Sequence, residues 1–311
     1  MIRHLTIPLA LALCSVSVEA QPVFRSSVDL VHFGVTVEDG DGQLVSGLTR
    51  EDFVIEEEGR EQDVMYFSQG LDTDLETMPF HLGVLFDTSG SMDRDVDFAK
   101  TAAIKFLRGL DLAQDMTLVD FDTQVRVSRY ERPDFPRLVE RLRMQEAGGM
   151  TALYDALGVY LDGAFDQDGR KVLLLYTDGS DTRSRLRRDE LLDLLRASDV
   201  TVYAVGFQTQ TRGAARIQEQ IRLQEIVALT GGRSYFPDSV AELDEIYRQI
   251  REELSARYSV GYVSTDPTAD GAWRRVTVRL ADDLRPALGD ARIRAREGYF
   301  APYKDSEPGT R

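Results

Sequence analysis

The chain has 311 residues, of which 42% are hydrophobic, 9% aromatic and 29% charged, and this composition excludes a protein that is disordered throughout. Its 53 acidic side chains outnumber 37 basic ones, so the formal net charge is −16. Such a charge repels phosphate backbones and argues against nucleic acid as a partner. The length predicts about two domains.

The first twenty residues have the features of a signal peptide. Arg3 and His4 give a positively charged start, and residues 5–18 are mostly apolar but too short to span a bilayer. Residues 18–20 (VEA) resemble a cleavage site, which predicts removal of residues 1–20 and export to the periplasm or the extracellular space. An uncleaved anchor is the alternative. The only cysteine, Cys14, lies in this segment, so the mature chain would have no disulfide and no thiolate zinc site.

The next region, residues 24–68, has the alternation of β-strands. Val31, Phe33, Val35 and Val37 are separated by single residues on the opposite face, which is a period of two. Two further short apolar runs follow. We interpret residues 24–68 as one half of a β-sandwich and the polar, acidic residues 69–79 as a linker.

From residue 80 to residue 255, short apolar runs alternate with helical segments. This order predicts βαβ units and therefore a doubly wound, Rossmann-like α/β domain with a mainly parallel sheet. The runs at 82–86 and 172–176 are continuously apolar, as expected of central strands that are covered on both faces. No later run is long and apolar enough to predict a stable membrane span.

A period of two returns at residues 256–301, which predicts the second half of the sandwich. Each flank has too few strands for a core of its own, so the predicted fold is an α/β domain inserted in a small all-β sandwich built from both chain ends. Residues 302–311 form a tail. Arg292, Arg294 and Arg296 alternate on the last strand; they predict either a solvated face that meets the glutamates at 56–58 or an anion site.

Polar side chains cluster where the predicted parallel strands end. Asp87, Ser89 and Ser91 follow the first strand at a spacing of two, Thr151 follows two glycines before a helix, and Asp178 follows the strand at 172–176. Ligands of open parallel sheets bind at this edge. Two carboxylates and three hydroxyls form an all-oxygen set that suits a hard cation such as Mg²⁺. The alternative is that these residues only cap the helices that follow them.

This five-residue set resembles the metal-ion-dependent adhesion site of von Willebrand factor type A (VWA) domains. The pattern of that site is Asp-x-Ser-x-Ser with a later Thr and a later Asp, and residues 87–91 (DTSGS), Thr151 and Asp178 fill every position. The resemblance covers about residues 80–255. The flanks also resemble a bacterial family of exported VWA-related proteins, at residues 48–53 (LTREDF) and 296–300 (REGYF).

The resemblance implies a role for each residue of the set. Ser89, Ser91 and Thr151 would be hydroxyl ligands, and Asp87 and Asp178 would bind directly or through water. Mg²⁺ is the expected cation, with Mn²⁺ and Ca²⁺ as alternatives, and one coordination position would take an Asp or Glu side chain of a protein partner.

Further residues are expected around this set. Met92 and Met150 would give apolar contacts at its rim. Gly179 and Asp181 would support it from outside, although Asp181 equally fits the cap of a helix.

The expected function is therefore metal-dependent protein binding without catalysis. The sequence has no GxSxG elbow and no GxxxxGK[ST] loop, and His81 begins the strand that Asp87 ends. Two alternatives stay open. One is a structural or envelope-assembly module with a purely structural metal, and the other is a metal-assisted hydrolase that uses Asp87.

Overall fold

The computed structural model describes residues 30–70, 79–109, 113–165, 167–207, 212–284 and 288–303. The predicted signal peptide, most of the predicted linker and most of the predicted tail lie outside these ranges. The strands are β1 (Leu30–Glu38), β2 (Phe53–Glu57), β3 (Arg60–Gln62), β4 (Tyr66–Gln69), β5 (Phe80–Asp87), β6 (Asp115–Phe121), β7 (Val125–Glu131), β8 (Arg170–Thr177), β9 (Thr201–Gly206), β10 (Ser234–Tyr235), β11 (Tyr258–Val263), β12 (Trp273–Leu280), β13 (Arg292–Arg294) and β14 (Gly298–Phe300). The helices are α1 (Val96–Arg108), α2 (Phe135–Arg143), α3 (Leu153–Phe165), α4 (Arg188–Ala197), α5 (Ala214–Leu229) and α6 (Val240–Ala256).

The middle of the chain forms a six-stranded sheet in the order β10-β9-β8-β5-β6-β7. All pairs are parallel except the edge pair of β6 and β7. Every residue of β5 is buried, because successive apolar side chains enter two separate cores, one on each face of the sheet. Helices α1, α2 and α6 cover one face, and α3, α4 and α5 cover the other. The predicted doubly wound α/β fold is confirmed.

The edge strand β7 was not predicted from the sequence. Its residues (VRVSRYE) alternate between partly buried and exposed positions, and only two of them are aliphatic. A half-exposed edge strand needs few apolar residues, so the hydrophobic pattern that reveals the buried strands is weak here.

The two ends of the chain form two four-stranded antiparallel sheets, β13-β1-β11-β4 and β14-β12-β2-β3. Each sheet combines strands from both ends: β1 pairs with β11, and β2 pairs with β12. Phe33 and Val35 from the first sheet share one core with Ile55 and Val276 from the second. The predicted sandwich built from both chain ends is therefore confirmed, whereas the division into separately folding domains stays a prediction.

A buried ion network joins the sandwich to the α/β part. Arg294 of β13 lies 2.6 Å from Glu253 of α6 and 3.2 Å from Glu38 of β1. Glu253 is only 2% exposed and also accepts a hydrogen bond of 2.6 Å from the hydroxyl of Tyr203. Neither expectation for this strand, a solvated face or an anion site, describes Arg294, because β13 pairs with the end of β1 beside α6 and turns this side chain toward buried acids.

The neighbouring arginine makes a different contact across the same junction. Arg296 donates a hydrogen bond of 3.3 Å to the carbonyl of Ser198 in the α/β part and one of 2.7 Å to the carbonyl of His32 on β1, and its guanidinium lies 4.6 Å from the centre of the Phe33 ring. Of the glutamates at 56–58, Glu56 pairs instead with Arg279, whose Nε lies 2.9 Å away.

Among the described residues, no helix has both the length and the apolar character needed to cross a membrane.

Candidate metal-binding site

Two neighbouring central strands place the carboxylates of the candidate site. Strands β5 and β8 pair in parallel with Phe86 opposite Tyr176, so Asp87 and Thr177 end at the same edge of the sheet. The hydroxyl of Thr177 donates a hydrogen bond of 2.6 Å to Oδ2 of Asp87. Asp178 follows directly, which brings the two acids of the predicted set together.

The loop after β5 turns its small side chains toward one another. The backbone N–H of Ser89 donates to Oδ1 of Asp87 at 2.9 Å, and the hydroxyls of Ser89 and Ser91 lie 3.0 Å apart. The residue that precedes α1 is Asp95, and no side chain caps that helix. Capping of α1 therefore does not explain Asp87, Ser89 and Ser91.

A second loop carries Thr151 to the same edge. The N–H of Gly148 donates to the carbonyl of Thr88 at 2.8 Å, and the N–H of Gly90 donates to the carbonyl of Gly149 at 3.0 Å. Gly149 has a φ of +79°, and a Cβ at this position would lie 2.6 Å from the hydroxyl oxygen of Thr123, so only glycine fits. Thr151 is buried at 3% exposure beneath this contact.

The third loop, after β8, is fastened to Thr151. The hydroxyl of Thr182 accepts a hydrogen bond of 3.0 Å from the N–H of Thr151, and the N–H of Thr182 donates one of 2.9 Å to the Thr151 carbonyl. Gly179 has a φ of +89°, and a Cβ there would press on Leu223 at 3.2 Å. Its N–H donates to the Thr177 hydroxyl at 3.1 Å, so Gly179 supports the residue that holds Asp87.

Asp181 lies on this third loop but points to the start of α3. Its Oδ1 accepts hydrogen bonds from the N–H of Tyr154 at 3.2 Å and from the hydroxyl of Ser184 at 2.6 Å. Asp181 therefore satisfies an N-terminal amide of α3, the helix that Thr151 precedes, and not an amide of its own following helix α4. It supports the position of Thr151 from outside.

The two carboxylates lie in an electrostatically unfavourable place. Burial and, second, the nearby charge of Asp178 raise the pKa of Asp87 to about 7, against the lowering effect of hydrogen bonds from Ser89 and Thr177. Among the described residues, no lysine, arginine or histidine forms a salt bridge with either acid. A divalent cation would supply the missing positive charge, and carboxylate and hydroxyl oxygens are donors that Mg²⁺ accepts.

The donor set also limits which metal fits. In the described part of the chain, no group of three or more His, Cys, Asp or Glu side chains is placed to hold an ion. The candidate site therefore depends on serine and threonine oxygens in addition to its two acids. Such a set favours a hard cation over Zn²⁺, which prefers nitrogen and sulfur ligands.

The residues of the candidate site and of the loops around it differ in exposure. Asp87 and Ser89 are fully buried, Ser91 is half-buried, and the glycines at 148 and 149 are exposed. Met150 is 49% exposed and fits the predicted apolar rim. The prediction for Met92 was wrong, because this side chain is 0% exposed and belongs to the core beneath α1.

Sequence reasoning gave Thr177 no role, although this residue holds Asp87. The strand register could have revealed this role, because parallel pairing of two predicted central strands places the last residue of one strand beside the last residue of the other. The histidines of the described chain are remote from this arrangement. His81, at the opposite end of β5, has its Nδ1 3.0 Å from the Asp115 carboxylate, and His32 lies on β1 in the sandwich.

Several known structures are similar to this chain at low sequence identity. A von Willebrand factor type A protein from Catenulispora acidiphila is 14% identical and aligns over 91% of this chain and 76% of its own, with a TM-score of 0.47. The conserved hypothetical protein BatB from Bacteroides thetaiotaomicron is 17% identical over 56% of this chain and 98% of its own, with a TM-score of 0.44. The vWF domain of the type V pili tip protein Mfa5 from Porphyromonas gingivalis is 11% identical over 62% of this chain and 99% of its own, with a TM-score of 0.46.

A search of curated proteins finds no match. The family model of the von Willebrand factor type A domain matches residues 81–249, from the first strand of the central sheet into α6. This match spans more than half of the chain and contains the whole candidate site. The chain therefore belongs to the von Willebrand factor type A domain family.

Proposed function

We propose that this chain is an exported protein-binding module whose five-residue site, Asp87, Ser89, Ser91, Thr151 and Asp178, holds a divalent cation. Mg²⁺ is the proposed cation, and a partner protein completes its coordination with an Asp or Glu side chain. The observation that carries the proposal is the buried, like-charged pair of Asp87 and Asp178, which no cationic side chain of the described residues compensates. Such a pair is costly unless a cation joins it.

The residues of the candidate site and their neighbours have separate parts in this proposal. Thr177 and the backbone of Ser89 hold both oxygens of Asp87 in place. The mutual contact of Ser89 and Ser91 aligns two hydroxyl oxygens, and the loops that meet at Gly90 fix Thr151 beside them. When bound, the cation would supply a local positive charge in a chain of net charge −16.

Partner recognition follows from the same arrangement. Ser91 is half-buried and residues 148–150 are exposed, and in this proposal an acidic side chain approaches the cation from their side. Two carboxylates roughly neutralise a dication, so a third acid is attracted mainly because the ion is not fully coordinated. VWA domains often mediate protein interactions, and the pilus tip protein among the similar structures is a candidate analogue for such a role.

The proposal of export rests on the signal-peptide features of residues 1–20. Removal of these residues would leave a chain without cysteine. A non-catalytic role is supported by the placement of the described histidines, neither of which can serve Ser89 as a general base: His81 is held by Asp115 at the far end of the strand, and His32 lies in the sandwich.

Calorimetry on chelator-treated protein tests the metal site. Mg²⁺, Mn²⁺ or Ca²⁺ is expected to bind at one dominant site, and Asp178→Ala is expected to abolish binding. Asp122→Asn is the matched control, because Asp122 is an acid at the same edge that is paired with Arg126 at 3.0 Å. Strong preference for Zn²⁺, or unchanged binding in Asp87→Ala with Asp178→Ala, would overturn the assignment.

A second experiment separates protein binding from a purely structural metal. The protein is used to capture partners from an envelope extract in Mg²⁺ and in chelator, and Ser91→Ala is expected to behave like chelation. If the metal only stabilises the loops, capture will persist in this variant and chelation will lower the melting temperature without releasing a partner.

A further inference from the structure

The loop after Asp178 carries two arginines whose surroundings differ from those of other arginines nearby. Arg183 and Arg185 are both exposed, and no carboxylate of the described residues lies within 4 Å of either guanidinium. Arg187 lies 3.2 Å from Glu190, and Arg188 is paired with Glu225. In a chain with sixteen more negative than positive charges, two adjacent unpaired cations are a local exception.

Backbone hydrogen bonds hold this loop against the start of α3. The N–H of Arg183 donates to the Thr151 carbonyl at 2.9 Å, and the N–H groups of Arg185 and Leu186 donate to the Asp155 carboxylate at 3.0 and 2.9 Å. The hydroxyl of Ser184 accepts the N–H of Asp155 at 3.0 Å. The arginine side chains take no part in these bonds, so the loop presents them from a fixed backbone.

The same two arginines line a cleft that begins beside the candidate metal site. The cleft has a volume of about 1,800 Å³, and Thr123 and Ala152, the neighbours of Met150 and Thr151, belong to its wall. Val159 and Leu194, on α3 and α4, give it an exposed apolar surface farther along. A peptide that lies in this cleft beside the site would be within reach of Arg183 and Arg185.

We propose that the loop at 181–186 selects a partner segment that carries further acidic residues next to the one at the metal. This inference rests on the proposed function and specifies its partner as an extended acidic peptide segment of a protein. The arginines oppose the repulsion that a chain of net charge −16 exerts on such a segment. Guanidinium groups pair with carboxylates in a bidentate geometry, which fixes the orientation of the carboxylate in addition to attracting it.

The test measures binding of two labelled synthetic peptides to the full chain in saturating Mg²⁺ by fluorescence anisotropy. Both have a neutral Gly/Ser frame; one contains a single Asp, and the other contains that Asp followed by three Glu. The acidic-cluster peptide is expected to bind about tenfold more tightly. The difference should shrink as NaCl is raised, because exposed ion pairs are screened.

Three variants assign the effect to the loop. Arg183→Ala with Arg185→Ala should remove the preference, Arg183→Lys with Arg185→Lys should keep most of it, and Arg187→Ala should keep all of it. Because the loop is held by backbone atoms, the double alanine variant should melt like the parent and bind Mg²⁺ equally in calorimetry.

The outcomes separate this inference from the proposed function. Normal Mg²⁺ binding with no preference between the peptides, including no binding of either, overturns the inference and leaves the metal site intact. A preference that survives in the double alanine variant also overturns it. Binding of the acidic peptide that persists in chelator would show attraction by charge alone, without the metal, and would overturn it as well. Failure of the parent to bind Mg²⁺ would count against the proposed function.

Discussion

Two buried acids in this molecule have opposite surroundings. Glu253, in the junction of the α/β part with the sandwich, has the guanidinium of Arg294 at 2.6 Å and the hydroxyl of Tyr203 at 2.6 Å. Asp87, at the edge of the central sheet, has hydroxyl and amide donors but another acid, Asp178, as its charged neighbour. The charge of Glu253 is paired within the chain, whereas no cationic side chain of the described residues pairs with Asp87. Under the proposed function, the first contact holds the fold and the second serves binding.

The largest effect is expected where the charge of Asp87 is removed in chelator-treated protein. Since the pKa of Asp87 is raised from 3.8 to about 7, the folded state binds its proton more tightly than the unfolded state does. The stability that this group contributes is therefore present below pH 4 and is lost as the pH rises toward 7, by on the order of 4 kcal/mol. Asp87→Asn should abolish this pH dependence and stabilise the metal-free protein at pH 8, measured by urea unfolding.

The same variant should lose Mg²⁺ binding, so a gain in stability and a loss of binding are expected together. If Asp87→Asn destabilises the metal-free protein at pH 8, the two acids are compensated by the fold and the comparison with Glu253 fails.

A substitution that disrupts the junction should change the free energy of unfolding in the opposite direction and lower it. Arg294→Ala leaves Glu253 buried without its nearest cation, which is expected to cost about 3 kcal/mol. Trp273 is the only tryptophan of the chain and lies on β12 of the sandwich, so its fluorescence during urea unfolding reports this region. Arg279→Ala, which removes a partly exposed pair with Glu56, is the control and should cost less than about 1 kcal/mol. If both variants lose the same free energy of unfolding, burial does not determine how much these ion pairs contribute to stability.

A smaller effect is expected from Thr177→Val, which removes the hydroxyl that donates to Asp87 while keeping the shape of the side chain. A hydrogen bond to a charged group contributes about 2 kcal/mol. The metal-free variant should therefore be less stable at pH 8, and its Mg²⁺ affinity should fall by about tenfold because Asp87 is no longer held in place. Thr201→Val, at a buried threonine remote from the site, controls for the general effect of the substitution on Mg²⁺ binding.

The smallest effect is expected at the other end of β5. The hydrogen bond that His81 donates to Asp115 raises the pKa of His81 above 6.5, so this pair contributes stability that is present below pH 6.5 and is lost as the pH rises through the higher value of the folded state. The Asp115 side chain is 30% exposed, so the contribution should be less than about 1 kcal/mol. Comparing the melting temperatures of the parent and Asp115→Asn between pH 5 and pH 8 checks this, and identical pH profiles would contradict it.

Much of the architecture could be predicted because burial determines the sequence pattern. Continuous apolar runs identified β5 and β8, and the change from alternation to runs and back identified the insertion. The five candidate ligands could be named because strand ends and spacing fix where their side chains start. The contacts of Arg294, the burial of Met92 and the loop at 181–186 could not be predicted, since each depends on which elements meet in space.

The path of the chain through the sandwich has a mechanical consequence. Gln69, at the end of β4, is paired with Tyr258, at the start of β11, so the chain enters and leaves the α/β part at adjacent points. Tension applied between residues 30 and 303 is carried by the two sheets of the sandwich and passes these two points without crossing the central sheet. The candidate metal site would thereby be shielded from a pulling force for as long as the pairing of β4 with β11 lasts.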